Sequence, residues 1–180
     1  MALRNVEHYG NPILRKKCET INNFDDLDKL INDMFDTMYE ENGIGLAANQ
    51  IGVDLQLFIV DISDIDEEGE SIHVFTNAEI INSEGNSWLN EGCLSVPGVR
   101  LDVKRPSIVT LKYQDRNGDA FTKKFDGLLA RVIQHEVGHL NGNLIIDHIS
   151  KAEKIGIGKD LKSIKENSLR IMESRKTTTL

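Results

Sequence analysis

The sequence predicts a single domain that mixes helices with strands, and three observations carry that reading. An early stretch sets its apolar residues at helical spacing. The middle of the chain holds β-branched and aromatic runs separated by turn residues, and a late apolar stretch carries two histidines four residues apart. The chain of 180 residues shows no repeat, no low-complexity linker and no internal boundary, so residues 1–180 are read as one unit able to bury a sizeable core.

Taken in order, residues 1–22 contain Tyr9-Gly10-Asn11-Pro12, a turn signal, within a stretch read as irregular or extended. From Asp25 to Glu41, Leu27, Leu30, Ile31, Met34, Phe35 and Met38 recur three and four apart. This predicts an amphipathic helix capped by Asn23 or Asp25, with Gly43 beyond its end and its apolar stripe in the core. Next comes Gly43-Ile44-Gly45-Leu46-Ala47-Ala48-Asn49-Gln50, where small residues let the backbone approach another element or a ligand closely. It is not a phosphate loop, because the Lys-Ser/Thr ending is absent and Ala48 stands where a third glycine would be needed.

Leu55 to Ile62 reads as a buried strand, Asp61 to Glu70 as an acidic solvated loop, and residues 72–82 and 86–89 as further strands. Ser107–Asp115 and Ala120–Phe125 form a hairpin across Arg116-Asn117-Gly118-Asp119, where Asn-Gly supplies the turn. A helix runs from Asp126 or Gly127 to Asn141 and stops at Gly142. A basic-rich segment after His148 leads to a last helix near Asp160–Glu173, with Lys176–Leu180 frayed.

The net charge of −8, without a basic block, argues against nucleic acid as the main partner. No apolar run reaches membrane-spanning length and the first residues lack a signal-peptide pattern, so the expected setting is cytoplasm-like. Cys18 and Cys93 are too few for a disulfide framework and are expected as thiols; Cys18 has no ligand-type neighbour.

The late helix carries His135-Glu136-Val137-Gly138-His139, an HExxH run. Histidines four apart project from one helical face about a turn apart, so both imidazoles can hold one metal ion. Leu128, Val132, His135 and His139 share one stripe; Leu129, Ile133, Val137 and Leu140 form a second, core-facing one. Glu136 falls between them, where its carboxylate can serve as a general base without being a ligand. HExxH also arises by chance, so its weight depends on a third ligand. The long-spacer scheme fails because Ile145 occupies the required ligand position. Two schemes remain: a glutamate from the last helix, Glu166 or Glu173, or Cys93 in the polar stretch Asn90–Pro97. A thiolate with two imidazoles leaves a fourth position open, as a catalytic site requires. His8, His73 and His148 have no such context.

Three motifs together resemble the peptide deformylases: Gly43–Gln50 resembles their GxGLAAxQ, Glu91–Ser95 their EGCLS, and Gln134–Gly142 their QHExDHLxG. All three occur in the family's order, and the likeness covers essentially the whole chain. The resemblance implies an α+β fold with antiparallel β-sheets packed around the metal helix, and removal of the N-formyl group from nascent chains beginning with formyl-methionine. It further implies that Cys93, His135 and His139 hold the metal, typically Fe(II) with nickel, cobalt or zinc as substitutes, and that Glu136 is the acid/base. Gln50 through its side-chain amide and Leu94 through its N–H would form the oxyanion site. Ile44, Leu128 and Val132 match the methionine pocket, Gly45 and Gly92 positions close to the substrate, and Arg100 a residue near that pocket.

One departure stands out. Gly138 replaces the aspartate that family members usually carry before the second histidine. A mid-helix glycine costs about 1 kcal/mol relative to alanine, so the expectation is a less well supported helix and a tuned metal affinity with catalysis retained. An HExxH peptidase and a non-enzymatic metal-binding or ribosome-associated module are the competing classes. Formate release separates the first reading from both, and casein cleavage identifies the peptidase.

Overall fold

The structure, a computed structural model, describes residues 3–65 and 72–178. Among the described residues, four helices and seven strands follow one another as α1 (Leu27–Glu40), β1 (Gly45–Ala47), β2 (Leu57–Asp61), β3 (Ile72–Glu84), β4 (Ser87–Gly92), β5 (Arg100–Arg105), β6 (Ile108–Gln114), β7 (Ala120–Asp126), α2 (Gly127–Leu140), α3 (Lys151–Gly156) and α4 (Gly158–Thr178). Every strand pair is antiparallel. Five strands form one sheet in the order β1-β2-β3-β6-β7, and β4 pairs only with β5. The α+β architecture expected from the motifs is therefore present, with α2 packed on the large sheet. No helix among the described residues is long and apolar enough to cross a membrane.

Two apolar clusters flank the large sheet. Ile133, Val137 and Leu140 of α2 bury against Phe58, Val60, Phe75, Val109 and Leu111, as the core-facing stripe requires. On the other side Leu27, Ile31, Met34 and Met38 of α1 bury against Leu46, Leu57 and Ile59. A third cluster joins Leu14, the β5 residues Leu101 and Val103, and Leu144–Ile146 to Leu161 of α4. Cys18 lies in the first cluster, where burial pushes its thiol up to about 12.

Several sequence expectations need correction. The cap of α1 is Asp26, in a left-handed conformation and without a side-chain capping bond; Asn23 instead accepts the Asp25 N–H at 2.9 Å in a local turn. The stretch read as irregular or extended contains a 3-10 turn at Pro12–Arg15, begun by Asn11 accepting the Ile13 N–H. Strands β1 and β5 and helix α3 were not anticipated, and α4 is longer than expected: it reaches Thr178, past Lys176, while residues 179 and 180 lie outside the described residues. In the acidic stretch after Asp61, residues 66–70 likewise lie outside them.

The exit from α2 explains its terminal glycine. Gly142 has φ +77°, and a Cβ there would meet the Arg15 carbonyl oxygen at 2.7 Å. Gly138 is different: a Cβ would find only Asn143, at 3.9 Å. Gly138→Ala is therefore expected to stabilise the protein by about 1 kcal/mol and to raise Tm by roughly 2–4 °C, with metal content unchanged. Thermal unfolding with metal analysis checks this; an unchanged or lower Tm sinks it.

Candidate metal centre

Three segments converge at the open side of α2. The helix supplies His135, Glu136 and His139, the end of β4 and its following turn supply Cys93 and Leu94, and the 3-10 turn after β1 supplies Gln50. The potential ligand atoms of Cys93, His135 and His139 all lie within 4.8 Å of one another. Cys93 Sγ is 3.2 Å from His139 Nε2. That spacing is close to the edge, about 3.3–3.8 Å, of a tetrahedron built on metal–ligand bonds of about 2.0–2.3 Å. Of the two schemes left open, the glutamate one does not assemble: Glu166 lies on the exposed side of α4, paired with Lys162 at 3.8 Å.

A buried ionic network orients the first histidine. Glu91 accepts from Arg105 Nε and Nη2, both at 2.8 Å, and from Arg131 Nη1 at 2.9 Å. Its Oε2 is also 3.1 Å from His135 Nδ1. An ionised carboxylate can only accept, so Nδ1 carries a hydrogen toward it and Nε2 is the nitrogen turned to the metal position. Glu91, Arg105 and Arg131 are only 6%, 6% and 5% exposed. Burial opposes the charge on Glu91, but Arg105 and His135 outweigh it and hold the carboxyl well below the usual range. Burial would also lower His135; its hydrogen bonds to Cys93 and Glu91 override it and raise the imidazole to about 10, so the metal-free ring keeps an Nε2 proton that a metal would displace. His139 is held well below its ordinary value, by burial first and then by His135, so it stays neutral and able to ligate. A cysteine sulfur, two imidazoles and a carboxylate fixing one ring together fit a divalent transition metal, which would displace the ligand protons on binding.

Glu136 is less well partnered, with the Ala47 N–H as its main-chain donor. It is 3% exposed and its Oε2 has no hydrogen-bond partner among the described residues. Burial pushes its carboxyl up to about 7, against the pull of His135 and Arg105. Gly45 makes room for it: a Cβ at that position would lie 2.7 Å from Glu136 Oε1 and 2.7 Å from Val132 Cγ1. Gln50 is locked in place. Its Oε1 accepts from Ala47 N–H at 2.8 Å, and its Nε2 donates to Ser95 Oγ at 3.2 Å while facing Cys93 Sγ at 3.9 Å. The Leu94 N–H donates to no group among the described residues.

These residues open onto one cleft of about 1120 Å³, also lined by Ile44, Gly92, Arg100, Leu128 and Val132. Ligand pockets for drug-sized molecules span about 300–1,000 Å³, so the cleft can hold an extended chain. Arg100 sits at its edge, bonded to Asn90 Oδ1 and Asn90 O, each at 2.7 Å. Every site residue named from sequence lines this cleft except His139, which is buried behind it in the ligand cluster. The residues missed were Arg105 and Arg131, together with the role of Glu91. A charged residue at an inward position of β5, where Leu101 and Val103 alternate with it, was the available signal for Arg105.

A model of the polypeptide deformylase family matches residues 3–155. The peptide deformylase of Zymomonas mobilis subsp. mobilis is 43% identical over 175 residues, covering 94% of this chain and 98% of that protein. That of Thermodesulfovibrio yellowstonii is 46% identical over 155 residues, covering 86% and 93%. The crystal structure of a peptide deformylase from Legionella pneumophila superposes with a TM-score of 0.83 at 42% identity, covering 94% of this chain and 99% of that one. With the metal-site geometry, the family match and these likenesses in agreement over nearly the whole length, the chain belongs to the polypeptide deformylase family.

Proposed function

We infer that this protein is a metal-dependent hydrolase that removes the N-formyl group from the formyl-methionine of newly synthesised polypeptides and releases formate. The observation that supports this most is the meeting, in one cleft, of an open three-ligand set with the unpartnered buried Oε2 of Glu136. When bound by Cys93, His135 and His139, a divalent metal supplies Lewis acidity that lowers the pKa of a water and polarises a carbonyl. Glu136 takes a proton from the attacking water and returns it to the departing amine nitrogen. Gln50 Nε2 and Leu94 N–H donate to the formyl oxygen as charge develops there, and losing one such donor costs about 10²–10³ in rate.

Ile44, Leu128 and Val132 take the methionine side chain, Gly45 and Gly92 bring main chain beside the peptide, and Arg100 borders the pocket. The resident metal is Fe(II), which suits a mixed thiolate and imidazole set; zinc, nickel or cobalt can replace it. The protein works as a cytoplasmic monomer, with residues 1–180 as one catalytic domain, on chains emerging near the ribosomal exit tunnel.

The test is anaerobic formate release from formyl-Met-Ala-Ser by the Fe(II)-loaded protein, run beside Cys93→Ala. The parent is expected to release formate, and the variant to lose both bound metal and activity. A fully metallated parent that releases none overturns the reading, and casein cleavage in its place would identify a peptidase.

A further inference from the structure

The two proposed oxyanion donors sit on separate segments, and three residues of the N-terminal arm cross between them. Glu7 N–H donates to the Gln50 carbonyl at 2.6 Å, and Tyr9 N–H donates to the Ser95 carbonyl, next to Leu94, at 2.8 Å. The arm is gripped from behind by α4. Ser168 Oγ donates to the His8 carbonyl at 3.1 Å, and Arg175 donates to the Glu7 carboxylate, which also accepts from Asn11 Nδ2 at 2.6 Å. Glu7 is 9% exposed. A carboxylate so buried needs partners, and one of them comes from the far end of the chain.

We propose that residues 7–9 are a positioning strap that sets the placement of the Gln50 amide and the Leu94 N–H, held in register by the Glu7–Arg175 pair. This rests on the reading of Gln50 and Leu94 as oxyanion donors. The strap bonds to main chain at both segments, so its displacement moves both donors. Hydrogen bonds weaken steeply with misalignment, and catalytic groups tolerate only about 0.5 Å of looseness. His135 and His139 are fixed independently, by α2 and, for His135, by Glu91, and Cys93 follows directly on β4, which is paired along its length with β5. Because the Arg175 side chain is 40% exposed, it rehydrates when Glu7 is the partner removed, so the stability cost of Glu7→Ala is small.

The test uses the zinc-loaded chain of 180 residues. Glu7→Ala is expected to lower kcat for formyl-Met-Ala-Ser about 5- to 10-fold, with KM and bound metal unchanged. Glu7→Gln, which keeps an acceptor for Arg175, recovers most of that loss. In a Gln50→Ala background the effect of Glu7→Ala shrinks to about 2-fold or less, because a group it positions is gone. The side-chain amide resonance of Gln50 is expected to shift in Glu7→Ala and to hold in Glu7→Gln. Arg175→Ala cuts the same pair at its exposed end and gives the same pattern should Glu7→Ala not fold. An equal fall in both backgrounds, or a Gln50 resonance that stays in place, overturns the strap. A metallated parent without formate release sinks the deformylase reading instead, while the resonance still decides the strap.

Discussion

Glu136→Gln is expected to lower kcat by about 10²–10⁴, the range carried by a positioned acid/base, with metal content unchanged. The same substitution should make the metal-free protein more stable. Glu136 is buried with an unpartnered Oε2, and burial raises its carboxyl from 4.5 to about 7. A carboxyl raised on folding contributes stability in its protonated form. That contribution is complete below pH 4.5 and is lost as pH rises through about 7. The neutral amide avoids this loss. The Tm gap between variant and parent should therefore be small near pH 4.5, widen up to about pH 7 and stay wide above it. Loss of activity without the pH-dependent gain in Tm would show that burial does not tune this carboxylate.

Glu91→Ala should be the most destabilising single change at the site. It leaves Arg105 and Arg131 buried without their shared carboxylate, and breaking a buried ion pair from one side costs about 3–5 kcal/mol. At about 2–4 °C per kcal/mol, the expected fall in Tm is roughly 6–20 °C. His135 loses the acceptor that fixes its ring, so metal affinity should drop about 10- to 100-fold. Glu91→Gln keeps an acceptor and should retain part of both. Denaturation and competitive chelation measure the two effects, and a Glu91→Ala protein within about 1 kcal/mol of the parent would falsify the assignment of the network.

The parts of the structure legible in sequence were those written in local periodicity. Helices α1 and α2 follow from their apolar spacing, and the β6–β7 hairpin from Asn117-Gly118. The two histidines were legible because a helix turns sequence spacing into a shared face. What stayed hidden depends on distant partners. Strand β5 has only Leu101 and Val103 as apolar alternation, and its third inward residue is a charge held by Glu91, 14 residues away. Arg131 joins the same carboxylate across 40 residues. Glu91 was visible as part of a motif, yet nothing local could show that it orients His135. β1 is three residues long, too short to be told from a glycine-rich turn.

Strands β1 and β4 are each outermost in their sheets, and both border the cleft. The groove thus has the peptide backbone of a sheet edge along both banks, where an incoming extended chain can be met main chain to main chain. Such banks respond to the repeating amide skeleton that every polypeptide shares, and are indifferent to which side chains hang from it. An enzyme meeting the whole output of translation gains generality from that arrangement. Discrimination then falls on the one residue common to all its clients, the first, while the remainder of each incoming chain is accepted for being a chain.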